Sequence, residues 1–364
     1  MVPPAANQTG HPYLGERIMP ILDYDSPQIA AFDDFVRHSP YARCPQDRQW
    51  SQVKQNWDSH FVYLESEGHI TAAMSVLSLK VANGKRLFYA NRGPVCDFYD
   101  TDLVTRLIAE ATPLIRERDG FLLRLDPEVR WNGELVSRYR DLGYVFRSRE
   151  TDLGDFIQPR FNMILPLSPN TTPAELMAEF NQKTRYNIRL SQRKGCTTQY
   201  YSWQSHREAE VLAAIDKFYE LTEIMAQRNS ITYRNKAYFV GLIRAFPQSR
   251  IYLTFHEGEA LSAAIAVPYN QKLFYMYGAS SNEKRNLMPN YNMQWEMIQW
   301  GLELGMAEYD FGGVFRFVPE DGLFRFKNGF CHTCGPTEFI GELDVVFDES
   351  AYEQFKSTQH KTHH

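Results

Sequence analysis

The chain has 364 residues, is 43% hydrophobic and 14% aromatic, and carries a formal net charge of -5. Such a chain can bury a large core and is better divided into two domains than one, while its acidic balance argues against a protein coated in nucleic acid and leaves room only for a local basic patch. No apolar run approaches the length of a membrane span, and the opening MVPPAANQTGHPYLGER lacks the charged start and apolar centre of a signal peptide. Residues 1–17 are therefore expected to form a disordered leader, and the protein to be cytoplasmic. Five cysteines, at positions 44, 96, 196, 331 and 334, show no disulfide-framework spacing, which suits a reducing compartment. Cys331 and Cys334 make a C-x-x-C around His332, but no second ligand pair stands at zinc-site spacing. The pair is expected to be two thiols in a turn, and neither metal nor cofactor is expected.

In chain order, residues 26–38 read as a capped helix with Ile29, Phe32, Phe35 and Val36 inward. Residues 39–57 read as a loop and then a helix bearing Trp50, Lys54 and Trp57. Strand patterns follow at 61–64, 70–79 and 87–90, joined by turns at Gly68 and Asn83-Gly84. A helix over about 101–117 precedes an apolar strand at 121–125 that stops at Asp126-Pro127. The second half repeats this order: YLESEGHITAAMSVLSLKVANGKRLFYANRG (63–93) lies beside YLTFHEGEALSAAIAVPYNQKLFYMYG (252–278), with a glycine turn, an Ala-Ala pair, a polar turn and Leu-Phe-Tyr in the same succession. We read an internal duplication of one α/β module, with a junction near 158–160.

Between the copies lies the chain's most basic segment, NQKTRYNIRLSQRKG (181–195), with no acidic residue from Asn181 to His206. Arg185, Arg189 and Arg193 recur every four residues and share one face of a helix. With Lys183 and Lys194 they suit a polyanion, because phosphate contacts need cations but no base specificity; a merely solvated basic face fits the charge pattern equally. Further on, 223–239 ends a long helix and opens a polar loop holding Thr232, Arg234 and Tyr238, residue types able to grip phosphate and orient a sugar or peptide.

Residues 273–330 organise the rest. Leu273 to Tyr277 form a strand pattern broken at Gly278; Tyr291, Trp295, Ile298 and Leu302 mark one helix face; and a short strand ends at Gly312-Gly313, before a loop holding Lys327. A strand, a crossover helix and a second strand make a parallel unit, and ligands gather beyond the carboxyl ends of such strands. Tyr275, Tyr277 and the 312–330 loop are thus expected to meet at one cleft.

The ordered series SPY…QD…W…VK.NW (39–57), LR.DPEV (123–129), PR.NM.L.L (159–167), IT.R…YF (231–239), YMYG (275–278), EMIQW (296–300), YD.GG (309–313), FK (326–327) and EFIGE (338–342) resembles the Fem family (FemABX) of peptidoglycan aminoacyltransferases, closest to the FemX pattern. The match runs from about Ile18 to Phe355. The resemblance implies an α/β (α+β) fold of two tandem acetyltransferase-like (GNAT-like) modules, 18–160 plus 338–364 and 161–337, the second inserted into the first and without a coiled-coil arm. It implies transfer of an amino acid from aminoacyl-tRNA to the stem-peptide lysine of UDP-MurNAc-pentapeptide or of the lipid-linked precursor; nothing in the sequence demands a dimer, and a monomer is expected. Matched position by position, Lys54, Thr232, Arg234, Tyr238 and Tyr277, with Tyr275 beside them, would hold the UDP-MurNAc-peptide. Lys327 and Phe326 would form the catalytic pair, Asp126 a base, and Lys183, Arg185, Arg189, Arg193 and Lys194 the tRNA-binding segment.

Elementary chemistry is consistent with that reading. A tRNA ester is already activated, so amide formation needs neither ATP nor a metal; it needs a neutral amine, a cation near the oxyanion and a proton for the departing ribose oxygen. A lysine amine of reference pKa about 10.4 must be freed by desolvation or a base. Two other readings use the same residues: an acyl-CoA-dependent N-acyltransferase on the same fold, and a non-catalytic protein that binds precursor or tRNA.

Overall fold

The computed structural model describes residues 21–81 and 84–359. The expected leader over 1–17, the start of the family match at Ile18, Asn83 of the second turn and the terminal histidines lie outside these residues. The chain divides into two compact units: the first takes the residues up to Ser51, Gln55–Arg160 and those from Phe339 onward, the second Gln52–Lys54 and Phe161–Glu338.

In the first unit, a hairpin of Asp58–Ser66 and His69–Lys80 leads into the strand Arg86–Ala90. The helix Thr101–Glu117 starts where the Asp100 carboxylate accepts from the Leu103 N–H at 2.9 Å. Val104, Leu107, Ile108, Ala111 and Ile115 are buried on one of its faces, where they pack into the core formed by Val62, Met74, Phe88 and Leu123. That face returns the chain along the sheet, so Gly120–Leu125 pairs parallel with Arg86–Ala90. The next strand in the sheet is Glu342–Val346, from the far end of the chain, followed by Val145–Arg147. Arg124, fully buried, clamps this late strand with two 2.7 Å hydrogen bonds to the Asp344 carboxylate, which also accepts from Tyr352 Oη at 2.7 Å. A guanidinium fork matched to a carboxylate is the geometry in which a buried ion pair offsets its desolvation.

The second unit runs through the same succession: the hairpin Arg250–His256 and Glu259–Tyr269, the strand Lys272–Ser280, the helix Pro289–Glu303, and Glu308–Gly313 parallel to Lys272–Ser280. Leu87-Phe88-Tyr89 and Leu273-Phe274-Tyr275 occupy the same third strand of each succession, and Ala72-Ala73 and Ala263-Ala264 the same second strand. The duplication read from their order is a duplication of structure. Beside Glu308–Gly313 lies Phe161–Pro166, antiparallel, and then Pro336–Glu338. The first sheet therefore takes in Glu342–Val346 from beyond the 338 junction, whereas the second is completed by Phe161–Pro166 and Pro336–Glu338 from the two ends of its own main segment.

Two local expectations are corrected. The 312–330 segment is not all loop, because Gly322–Cys331 is an α-helix whose start is capped by Asp321 accepting from the Phe324 N–H at 2.7 Å. Phe326 and Phe330, four residues apart, are the apolar stripe that the flanking glycines obscured. The helix expected within 39–57 is only Trp50–Val53, so Lys54 follows it rather than lying on it.

Candidate active site

The parallel strands of the second unit stay paired only from Lys272 opposite Glu308 to Phe274 opposite Asp310. Beyond that point they part. Asp310, 2% exposed, accepts from Asn162 Nδ2 at 3.2 and 3.0 Å and from the Gly312 N–H at 2.7 Å, and Lys272 Nζ lies 3.7 Å away. The carboxylate thus folds the chain over at Gly312, whose φ of +77° favours glycine and where an added Cβ would stand 3.7 Å from Lys327 Nζ. Lys327 comes from the helix Gly322–Cys331, is 5% exposed, and donates to the Gly313 carbonyl at 2.8 Å. Burial pulls its pKa down to about 8, against the opposing pull of the Asp310 charge. A cation therefore stands where the two strands separate, with N–H donors beyond the one Gly313 uses. Phe326, the preceding residue, packs against Tyr291 with ring centroids 4.9 Å apart and against Phe330 at 5.6 Å. Its ring anchors the helix that aims Lys327.

A second group assembles on the same unit. Tyr238, near the start of the helix Lys236–Ala245, and Tyr277 on the strand Lys272–Ser280 join their hydroxyls at 2.9 Å. Lys54 Nζ and Arg234 Cζ each lie 5.5 Å from the centroid of the Tyr238 ring. The Lys54 pKa falls to about 8, chiefly through burial and then through the nearby Arg234 charge. Two cations held this close, with the Arg234 charge opposing protonation of Lys54, make a place for an anion. Thr232 is exposed in the 230–235 loop between the helices Glu208–Asn229 and Lys236–Ala245.

Tyr275 is set apart from this group. Tyr277 is opposite Ile265 and Tyr275 opposite Ala266, so Met276 is the extra residue of a β-bulge. Neighbouring residues of the partner strand face opposite sides, hence Tyr275 turns into the core with Ala266 while Tyr277 meets Tyr238. An unbroken alternation would have kept both tyrosines together.

The basic segment is the helix Gln182–Arg193, with Asn181 as its cap and Thr184, Asn187, Ile188 and Ser191 buried. Lys183, Arg189, Arg193 and Lys194 are exposed. Arg185 is half-buried and donates to the carbonyls of Ala178 and Phe180, so part of its charge holds the preceding turn. Thr184 reaches Gly329 of the Lys327 helix so closely that a Cβ there would lie 2.2 Å from its Oγ1, and the Asn181 N–H donates to the Gly329 carbonyl at 2.9 Å. The basic helix is therefore packed directly on the helix that carries Lys327.

Asp126 belongs to the first unit, just past the strand Gly120–Leu125. It is 2% exposed and accepts from Tyr89 Oη and from the Arg92 N–H, each at 2.5 Å. Burial raises its pKa to about 7, although the Arg92 charge and the Tyr89 hydrogen bond pull the other way. Asn162 was not singled out from the sequence, and Gly313 was read only as the end of a strand. Asn162 had a signal, since it stands in the PR.NM.L.L segment, but its role depends on the strand pairing that sets it beside Asp310. Among the described residues, no group of three or more His, Cys, Asp or Glu side chains is arranged to hold a metal ion, and no helix is long and apolar enough to cross a membrane.

The architecture defines a tandem acetyltransferase-like protein. It superposes on a tandem GNAT protein from the clavulanic acid biosynthesis pathway with a TM-score of 0.51 at 12% identity, covering 90% of this chain and 97% of that one. The crystal structure of FemX aligns with a TM-score of 0.77 at 22% identity, over 89% and 97% of the two chains. In sequence, the chain is 37% identical over 341 residues to the UDP-N-acetylmuramoylpentapeptide-lysine N(6)-alanyltransferase of Weissella viridescens, spanning 92% of this chain and 98% of that protein. The FemAB family model matches residues 28–259 and 254–360. The chain belongs to the FemAB family, and it is an aminoacyltransferase.

Proposed function

We propose that the protein moves an amino acid of the alanine, serine or glycine type from aminoacyl-tRNA to the stem-peptide lysine of UDP-MurNAc-pentapeptide, as a cytoplasmic monomer. The observation that carries this is the pair of cations, Lys54 and Arg234, gathered on Tyr238 and Tyr277 in a chain 37% identical to an alanyltransferase named for that acceptor. A nucleotide-sugar diphosphate brings two adjacent negative charges, and two opposed cations gain most from such a guest. Thr232 in the adjoining loop lies within the same stretch of chain and would orient the sugar or peptide.

In the reaction, the lysine ε-nitrogen attacks the ester carbonyl; the C–N bond forms, the bond to the ribose oxygen breaks, and that oxygen leaves as a hydroxyl. Lys327, with a pKa of about 8, is mostly protonated at neutral pH. Its free N–H donors would stabilise the oxyanion and supply the proton for the ribose oxygen. Asp126, with a pKa of about 7, is assigned as acceptor of the ammonium's proton. Lys183, Arg189, Arg193 and Lys194 would receive the tRNA phosphates.

The direct test is mass spectrometry of lysine-form UDP-MurNAc-pentapeptide incubated with the enzyme and a pool of charged tRNA, beside a sample given acetyl-CoA. A gain of one amino-acid residue, abolished by RNase, is expected. A gain only with lipid-linked precursor would reassign the acceptor, and acetylation alone would replace the tRNA reading with the acyl-CoA one.

Two substitutions separate the roles. Lys54→Met should raise KM for the UDP-precursor by about 10-fold or more with little change in kcat, the pattern of an interaction made equally in ground and transition states. A KM at the wild-type value would remove Lys54 from the binding site. Asp126→Asn retains a side-chain oxygen for the Arg92 N–H; it should lower kcat by about 100-fold without lowering the melting temperature at neutral pH, because the fold already disfavours the Asp126 charge. Full activity in that variant would make Asp126 a turn-holding residue only.

A further inference from the structure

Cys331 closes the helix Gly322–Cys331 one turn after Lys327, so the two side chains leave the same helix face. It is fully buried, whereas Cys334 is exposed. The chain turns tightly between them: the Cys334 N–H donates to the Cys331 carbonyl at 3.2 Å and the Gly335 N–H to the same oxygen at 2.7 Å. The Cys334 thiol lies 3.4 Å from that carbonyl and 3.3 Å from the carbonyl of Ile164, the residue paired across the sheet with Asp310. Residues three apart in such a turn have Cα atoms under about 7 Å apart, close to the range that disulfides span. The two thiols also differ. A hydrogen bond with Cys331 draws the Cys334 thiol down to about 7, and burial pushes the Cys331 thiol up. An exposed, more acidic thiol beside a buried one is the arrangement of an attacking and a resolving cysteine.

We propose that Cys331 and Cys334 form a reversible dithiol–disulfide couple that disorders the Lys327 helix when oxidised, with a small-molecule disulfide such as oxidised glutathione as oxidant. The Cys334 thiolate attacks one sulfur of the small disulfide and releases one small thiol. Cys331, once its side chain has swung out of its buried position, loses its proton to water and attacks the Cys334 sulfur of the mixed disulfide, releasing the second small thiol as a thiolate that takes up a proton. Two protein thiols are oxidised and one small disulfide is reduced to two thiols. The Cys334 sulfur moves away from the Ile164 and Cys331 carbonyls, and the Cys331 side chain leaves its buried position at the end of the helix. The effect on turnover rests on the assignment of Lys327; the disulfide itself does not.

The full-length protein would be incubated with oxidised glutathione at pH 8, trapped with iodoacetamide and digested. The peptide holding both cysteines should lack two hydrogens, and amide exchange across Gly322–Cys331 should quicken. Dithiothreitol should reverse both changes, and Cys334→Ser should show neither. Alkylation of both thiols, a stable glutathione adduct on Cys334 alone, or a disulfide with unchanged exchange would each overturn the proposal. Transfer activity, read on the same samples, should fall with disulfide formation in the wild type and persist in Cys334→Ser. If no preparation transfers an amino acid, the functional reading fails while the mass and exchange results still judge the couple.

Discussion

Lys327→Met is expected to lower kcat for amino-acid transfer by about 100- to 1,000-fold, the usual loss when one preorganised donor to a developing oxyanion is removed. Binding of the UDP-precursor should survive, because Lys54, Arg234, Tyr238 and Tyr277 are untouched. The same substitution should make the protein more stable. The Lys327 pKa is about 8 in the fold against 10.5 for an ordinary lysine, so between those values the unfolded chain binds the proton that the native state has released. Stability therefore rises with pH across that window, and below about pH 8 the buried charge imposes its full penalty, on the order of 3 kcal/mol. Methionine removes the penalty. Its melting temperature at pH 7 should exceed that of the wild type, and its gain from pH 8 to 10 should be smaller than that of the wild type. A variant with wild-type kcat would exclude Lys327 from the chemistry; one that loses activity together with stability would make it a packing residue.

The second large effect is expected at the basic helix. Arg189→Glu with Arg193→Glu should reduce transfer at limiting charged tRNA by about 100-fold or more and flatten the salt dependence of tRNA binding by about one unit of slope for each phosphate no longer neutralised. Both side chains are exposed, so the helix should keep its packing against Gly329 through Thr184. Arg185 is omitted because its guanidinium also holds the carbonyls of Ala178 and Phe180. KM for the UDP-precursor is the internal control. An unchanged KM for charged tRNA, with an unchanged salt slope, would leave this helix as a solvated basic face.

Much of this arrangement was determined by the sequence alone. Apolar residues recurring every two or every three to four positions define strands and helices, because side chains alternate across a strand and wind around a helix. The helix Thr101–Glu117 and the strands Arg86–Ala90 and Gly120–Leu125 fall where that periodicity places them. Two such successions, each with Ala-Ala and Leu-Phe-Tyr in order, were enough to identify a duplicated module. The Arg189–Arg193 spacing on an exposed helix face was legible for the same local reason.

What the tertiary structure decided depends on partners far apart in the chain. The bulge at Met276 appears only when Lys272–Ser280 is set against Glu259–Tyr269, and it sends Tyr275 to the core and Tyr277 to Tyr238. Lys54 and Arg234 come together only on the Tyr238 ring, and the depressed Lys54 pKa follows from burial first and then from that proximity. Lys327 reads as a loop residue between glycines until Phe326 and Phe330 find Tyr291 and the segment winds into a helix. Local periodicity is set by the backbone's own geometry, whereas the electrostatics of a site depend on which distant groups share a small volume from which water is largely removed.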